Sequence, residues 1–158
     1  MAKRMITLLI ILTIMSFFHK NRADDSHDGP VTFLEYKKSG MCYCNKFSYE
    51  QLEDGTCTFS KEVNWKEETK RTVQVPASVG EELWQMVVAY NMLQYKSLYT
   101  PRDDVRDGVM WELQVRFAKG QKLYTEGENE WPDGGGIKRL EEYLNELWKK
   151  YSEAAASK

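Results

Sequence analysis

Histidine is nearly absent from this sequence. Its two histidines, His19 and His27, both precede the region that is expected to fold. Serine–histidine–aspartate and cysteine–histidine catalysis need an imidazole, as do histidine-ligated metal sites, so the folded body is excluded from these classes. The chain also lacks a phosphate-binding loop, a dinucleotide-binding fingerprint and a zinc-protease motif. We therefore predict no catalytic residue, no metal and no cofactor.

Cysteine is scarce as well, with Cys42, Cys44 and Cys57 as the three present. Cys42 and Cys44 lie two apart on a predicted strand, where a disulfide between them has poor geometry, and Cys57 is predicted opposite Leu52, away from Cys44. Free thiols, one disulfide and a zinc site remain as alternatives. The zinc site lacks a fourth ligand, because His27 lies on a polar linker. An odd count leaves one thiol free unless it pairs between chains.

Acidic residues outnumber basic ones in the folded body. The formal net charge is −2, but four of the 22 basic residues, and no acidic residue, precede position 24. The other 18 basic residues face 24 acidic ones, so the body carries a net charge of −6. An acidic body without a basic stripe argues against nucleic acid or anionic lipid as a partner.

The N-terminus has the pattern of an export signal. Lys3 and Arg4 precede an apolar segment from Met5 to Phe18, which is short for a membrane layer of about 30 Å. A cleaved signal peptide ending near Ala23, an uncleaved signal anchor and a cytosolic start remain as alternatives. Export predicts a periplasmic or cell-envelope location, with membrane attachment only through this segment if it is uncleaved. No cysteine follows it closely, which argues against lipidation. The predicted organisation is residues 1–23 as signal or anchor, 24–30 as linker, 31–153 as one domain and 154–158 as tail.

One hairpin organises the second half of the chain. Apolar and polar residues alternate from Val109 to Phe117, which is typical of a half-buried antiparallel strand. Ala118-Lys119-Gly120 predicts a three-residue loop with glycine in the left-handed conformation. The resulting register pairs Leu123 with Val115, Thr125 with Leu113, and Gly127 with Trp111. Glycine in the last pair leaves room for the indole.

The other elements complete an α+β fold. Four strands are predicted at Val31–Lys37, Met41–Tyr49, Thr56–Trp65 and Thr72–Val75, with turns at Ser39-Gly40 and Asp54-Gly55. Ser78 and Glu81 form a capping-box pattern before a helix to about Lys96, and Tyr99 to Asp107 is predicted as a loop. A second helix follows Gly134-Gly135-Gly136, capped by Asp133, to about Tyr151. We predict a single antiparallel sheet of about six strands, in the order ββββ-α-ββ-α, with two helices packed on one face.

The surface candidates lie after the hairpin. An exposed aromatic loop that includes Asn129 and Trp131, with Glu128 beside it, is predicted to bind a peptide or a glycan. The alternative is structural, with Asn129 bonding the turn and Trp131 packing on the last helix. A carboxylate pair could act as acid and base. The candidates for such a pair are Glu112, Glu126, Glu128, Glu130, Asp103, Asp104 and Asp107.

Several residues in this half form a recognisable signature. The run Asp107-Gly108-x-x-Trp111 … Gly127-x-Asn129-x-Trp131-Pro132 resembles one found in small uncharacterised exported domains, often lipoproteins, of Bacteroidetes-type bacteria. The resemblance covers roughly residues 83–150. It implies an exported location and a shared fold, and it implies no activity.

Three hypotheses of function follow. The favoured one is a non-catalytic exported binding or interaction module, with an envelope protein or a glycan as partner. The second is a carboxylate-based hydrolase of envelope or host polymer. The third is an inhibitor of an exported enzyme, which predicts a protruding loop or a concave aromatic sheet face.

Overall fold

The structure is a computed structural model that describes residues 29–63, 69–101 and 108–156. The predicted signal or anchor and most of the linker lie outside these residues, as do Asp103, Asp104 and Asp107. The strands are β1 (Val31–Gly40), β2 (Tyr43–Gln51), β3 (Cys57–Val63), β4 (Arg71–Val75), β5 (Leu98–Tyr99), β6 (Met110–Phe117) and β7 (Lys122–Glu128). The helices are α1 (Ser78–Ala89) and α2 (Gly136–Ala156), and short 3-10 helices cover Met92–Gln94 and Asp133–Gly135. Among the described residues, no helix is both long and apolar enough to cross a membrane.

The α+β class is confirmed, but the sheet is mixed and has seven strands in the order β4-β3-β2-β1-β6-β7-β5. The additional strand is β5, which lies where the sequence predicted only the junction between a helix ending near Lys96 and a loop beginning at Tyr99. It pairs parallel to β7, and Thr125 Oγ1 donates a hydrogen bond to the Lys96 carbonyl just before it at 2.7 Å. Two residues are too few for a periodic pattern, so only the contact with β7 defines this strand.

The β6–β7 hairpin has the predicted register. Trp111 pairs with Gly127, Leu113 with Thr125 and Val115 with Leu123. Gly120 has a φ of 91°, and its N–H donates to the Phe117 carbonyl. The three-residue loop is therefore confirmed together with its glycine.

The first two hairpins differ from prediction in register. Ser39 and Gly40 belong to β1, the turn lies at Met41 and Cys42, and Tyr36 pairs with Phe47. This register differs from the one that a turn at Ser39-Gly40 would give by an even number of residues. Tyr36 and Phe47 therefore lie on the same face of the sheet in both registers. In the next hairpin Cys57 pairs with Gln51 instead of Leu52. The reason is a five-residue loop after Gln51, in which the Leu52 N–H donates to the Thr56 carbonyl at 2.8 Å.

Both helices are present, but their predicted ends were partly wrong. Helix α1 ends at Ala89, because Asn91 enters the left-handed region with a φ of 51°. Its cap residue is Ala77, and no side chain caps it, so the predicted capping box does not form. Asp133 lies inside a 3-10 helix whose cap residue is Pro132, so it is not the predicted cap. Helix α2 continues to Ala156, past the predicted end.

Both helices cover the same face of the sheet and share one core. Gly80 of α1 lies against the Val31 carbonyl, and Phe59 of β3 packs on Trp148 of α2 with ring centroids 6.2 Å apart. Ile137, Leu140, Leu144 and Leu147 recur at helical spacing on α2, and all four are buried against the sheet. The fully buried side chains of this core are led by Tyr36, Tyr49, Phe59, Leu34, Leu83, Met92 and Leu113.

The opposite face of the sheet, called here the open face, carries a charge network. Glu35 on β1 accepts from Lys46 Nζ at 2.8 Å and from Lys37 Nζ at 2.9 Å, and Lys37 also contacts Glu112 on β6 at 3.4 Å. Burial by itself raises the pKa of Glu35, but hydrogen bonds and charges from the two lysines outweigh it and lower the pKa below its usual value. The network ties β1 to both of its neighbours.

Glu35→Gln is expected to lower the free energy of unfolding at pH 7 by about 1–2 kcal/mol. A lowered pKa in the folded state stabilises the protein above the unfolded-state pKa of about 4.3, and this stabilisation disappears as pH falls through the folded-state value. Urea unfolding of both proteins between pH 7 and pH 3 should therefore show a difference that shrinks toward zero. Glu50→Gln, an exposed change on β2, is the control, and a pH-independent difference for Glu35→Gln would contradict the prediction.

Candidate functional site

Most signature residues shape the open end of the β6–β7 hairpin. Asn129 has a φ of 53°, its Oδ1 accepts from the Val109 N–H at 2.8 Å, and its own N–H donates to the Val109 carbonyl at 2.9 Å. Gly108 lies against the Asn129 side chain, where a Cβ would collide with the amide. These contacts agree with the structural alternative for Asn129.

Trp111 and Gly127 form the second half of this arrangement. The indole Nε1 donates to the Glu130 carbonyl at 2.8 Å, and the ring occupies the space that a Cβ on Gly127 would need. The Glu130 carbonyl is thereby held over the ladder, and the chain turns out of the sheet immediately before Trp131. The buried Trp111 thus sets the position of the exposed Trp131.

Trp131 lies at the rim of a groove of about 590 Å³. Its side chain is 42 % exposed, whereas the following Pro132 is buried. Trp131 therefore presents much of its ring to solvent, which is the feature that the binding hypothesis predicted. Three parts of the chain line the groove: β1, the segment between β7 and α2, and α2 itself. The lining residues are Lys38 of β1, then Trp131, Pro132 and Gly135 of the segment, and Ile137, Lys138, Glu141, Glu142 and Asn145 of α2.

A polar network joins β1 to α2 in this groove. Lys38 Nζ contacts both carboxylate oxygens of Glu141, at 2.8 and 3.0 Å. The Tyr36 hydroxyl donates to the same carboxylate at 3.4 Å. Burial, followed by the charge and hydrogen bond of Glu141, raises the pKa of Tyr36 well above its usual value, so this phenol stays a donor. Asn145 Nδ2 donates to the Glu141 carbonyl at 2.9 Å, one turn further along the helix.

The charges of the groove balance one another. Lys38 pairs with Glu141, and Glu142 pairs with Arg139 at 2.8 Å. Lys138 supplies the remaining positive charge among the lining residues. Within residues 29–63, 69–101 and 108–156, no cluster of three or more metal-ligating side chains occurs. The groove therefore offers an aromatic ring, apolar walls and paired hydrogen-bonding groups, with little net charge.

Glu128 lies apart from this groove. It ends β7 opposite Met110 and is exposed on the open face, whereas Lys38 and the helix lie on the covered side. Of the three predicted ligand-binding residues, the structure therefore brings only Trp131 to the groove. Lys38, Glu141 and Asn145 were not predicted, because Lys38 and Glu141 are 103 residues apart in sequence and on different elements.

Two of the predicted carboxylates do meet, on the open face. Glu112 and Glu126 are direct partners across β6 and β7. Gln114 Nε2 donates to Glu112 at 2.5 Å, and the Tyr124 hydroxyl donates to Glu126 at 2.6 Å. This hydrogen bond is the main reason that the pKa of Tyr124 rises to about 12. Each carboxylate thus has its own neutral donor.

The inhibitor hypothesis predicted a protruding loop or a concave aromatic sheet face, and the open face carries both charged and aromatic side chains. Its centre carries the charge network of Glu35. On the same face, the guanidinium carbon of Arg116 lies 4.2 Å from the centroid of the Phe33 ring. The turn between β1 and β2 exposes the Met41 side chain, which is 77 % accessible to solvent.

All three cysteines are free thiols. Cys42 is exposed in the β1–β2 turn, Cys44 is buried on the open face, and Cys57 is buried on the covered face beside the Tyr49 hydroxyl. Cys44 and Cys57 thus lie on opposite faces of the sheet, which separates their side chains. Burial and the charge of Glu62 raise the pKa of the Cys44 thiol and lower its reactivity.

Thiol titration of the native protein is expected to label one cysteine rapidly. The exposed Cys42 should react with a disulfide reagent within seconds to minutes, and Cys44 and Cys57 should react only as the protein unfolds. In denaturant all three should react, and Cys42→Ser should remove the fast phase alone. Fewer than three reactive thiols in denaturant, without reductant, would reveal a disulfide and contradict this arrangement.

The chain matches no protein-family model, and no curated protein matches it significantly. The function of the groove must therefore be argued from its own geometry.

Proposed function

We propose that this protein is a non-catalytic binding module whose ligand occupies the groove beside Trp131. The observation that carries the proposal is the exposure of Trp131 at the rim of a groove of about 590 Å³. Exposed aromatic rings that border hydrogen-bonding groups are typical of binding sites, since the ring supplies contact area at a low cost in conformational entropy. The polar groups of Lys38, Glu141 and Asn145 lie along the same groove and can orient a ligand.

The proposal includes an exported location, in the periplasm or cell envelope. It rests on the apolar segment from Met5 to Phe18 and on the resemblance of the Asp107–Pro132 signature to exported domains of Bacteroidetes-type bacteria. The expected ligand is accordingly an envelope component, either a protein or a glycan. The acidic body argues against nucleic acid.

Trp131→Ala is expected to reduce binding of the protein to an isolated Gram-negative cell-envelope fraction by about tenfold or more. The substitution removes the exposed ring and leaves the buried core untouched. Binding would be measured by co-sedimentation, with thermal unfolding to check that the variant stays folded. Tyr124→Ala is the matched control, because this exposed aromatic residue lies on the open face. Equal binding of wild type and Trp131→Ala would contradict the proposal.

The alternative of a carboxylate-based hydrolase is favoured by one observation, the direct pairing of Glu112 and Glu126. Residues in such a pair are close enough to act as nucleophile and acid on one bond. The pair lies on the open face, outside the groove. The test is hydrolysis of an envelope polymer by the wild type and by three variants. Activity that is lost in both Glu112→Gln and Glu126→Gln but kept in Trp131→Ala would favour this alternative over the binding module.

A further inference from the structure

We infer that the groove is one half of a longer saccharide-binding surface, and that Tyr43 provides its second aromatic platform. The inference rests on the proposed function and names the ligand class as an uncharged saccharide chain. It assigns a binding role to Tyr43, Lys38, Glu141 and Asn145.

Tyr43 extends the surface beyond the rim of the groove. It lies opposite Gly40 at the tip of the β1–β2 hairpin, and its ring edge rests on that glycine, 2.7 Å from where a Cβ would stand. Its side chain is 39 % exposed, close to the value for Trp131. By strand alternation it shares the covered side of the sheet with Phe47, which belongs to the core.

The two exposed rings lie on either side of the Lys38–Glu141 pair. Lys38 pairs with Asn45 on β2 and with Trp111 on β6. Tyr43 lies two residues before Asn45 on β2, on the same covered side of the sheet. On the other side, the Trp111 indole holds the carbonyl that precedes Trp131. Because β2 and β6 flank β1, Tyr43 lies on one side of Lys38 and the Trp111 indole lies on the other.

Two flat rings separated by polar groups suit a saccharide chain. The apolar C–H face of a sugar ring packs on the face of an aromatic ring, and its hydroxyls need both donors and acceptors. Lys38 supplies a donor, Glu141 an acceptor and Asn145 both. The paired charges of the groove favour an uncharged chain over an anionic one, because an anion would have to compete with Glu141 for Lys38.

An extended peptide fits this surface less well. Peptides that bind sheets usually add a strand to a free edge, where main-chain hydrogen bonds supply affinity. At Lys38 this is blocked, since β1 is already paired with β2 and β6 on its two sides. A ligand must therefore be recognised through side chains, as saccharides are.

The test is titration of the full chain with uncharged hexasaccharides of glucose and of N-acetylglucosamine, observed by NMR, with a hexasaccharide of galacturonic acid as the anionic counterpart. We expect an uncharged hexasaccharide to shift signals of Tyr43, Trp131 and Asn145. Tyr43→Ala and Trp131→Ala should each weaken this binding by about tenfold. Tyr124→Ala should leave it unchanged.

Three outcomes would overturn the inference. They are the absence of binding by either uncharged hexasaccharide at millimolar concentration, binding of the anionic one alone, and binding that is insensitive to Tyr43→Ala. Retained binding of the envelope fraction through Trp131 with any of these results would leave the proposed function standing. If the protein bound neither an uncharged hexasaccharide nor the envelope fraction, the proposed function would fail as well.

Discussion

Replacing Gly127 with alanine is expected to lower the free energy of unfolding by about 3 kcal/mol. The added Cβ would collide with the Trp111 indole on one side and would lie 2.6 Å from the Glu130 carbonyl oxygen on the other. Neither neighbour can move freely, because the two are hydrogen-bonded to each other and Trp111 is buried. For a domain of this size the change corresponds to a fall of roughly 10 °C in melting temperature.

Two further variants separate the collision from the loss of a glycine. Gly120→Ala places a Cβ in open space at a φ of 91°, so it should cost only the conformational strain, about 1–2 kcal/mol. Trp111→Phe removes the indole nitrogen that meets the new Cβ, so it should couple favourably with Gly127→Ala in a double-mutant cycle. Urea denaturation would measure the wild type, the three single variants and the double variant. Additive effects in the cycle would show that the indole is not the obstacle.

Gly80→Ala is expected to destabilise the protein by about 2 kcal/mol, although helix propensity alone predicts a gain of up to about 1 kcal/mol. Gly80 lies in the first turn of α1, where its missing side chain lets the helix approach the sheet. A Cβ there would lie 2.5 Å from the Val31 carbonyl oxygen and 2.9 Å from the Tyr49 hydroxyl. Because the first of these atoms is backbone, the helix itself has to shift.

Ser78→Ala is the matched control in the same helical turn. A capping box would make this substitution cost about 1 kcal/mol, whereas the observed helix start has no side-chain cap, so the change should be nearly neutral. Tyr49→Phe removes the hydroxyl contact and should recover part of the loss in Gly80→Ala. Circular dichroism during urea unfolding would measure these effects. A stabilising Gly80→Ala would contradict the packing of α1 on β1.

These two glycines differ in how far the sequence reveals them. Gly127 lies on a strand whose alternation and glycine-containing loop specify a register, and that register places it opposite Trp111. Gly80 lies in a segment whose pattern indicated a helix start, and nothing local shows that its neighbours are Val31 and Tyr49. A prediction was thus possible where local geometry decides the contact, and impossible where a distant segment decides it.

The same division holds for the candidate site. Trp131 was predicted as an exposed aromatic residue from the hairpin that precedes it. Lys38 and Glu141 are an ordinary strand lysine and helix glutamate in sequence, and they become a site only because α2 crosses over β1. Tyr43 was predicted only as part of the strand Met41–Tyr49. It is exposed because it lies at the hairpin tip, directly after the observed turn at Met41 and Cys42.

The sequence by itself determined the α+β class, the presence of the two helices and the register of the β6–β7 hairpin, because each follows from side-chain periodicity or loop length. It also excluded histidine-based chemistry in the folded body. Only the tertiary structure decided the strand β5, the approach of α1 to the sheet and the groove between β1 and α2. These features depend on contacts between segments far apart in the chain, and such contacts leave no periodic trace in the residues that make them.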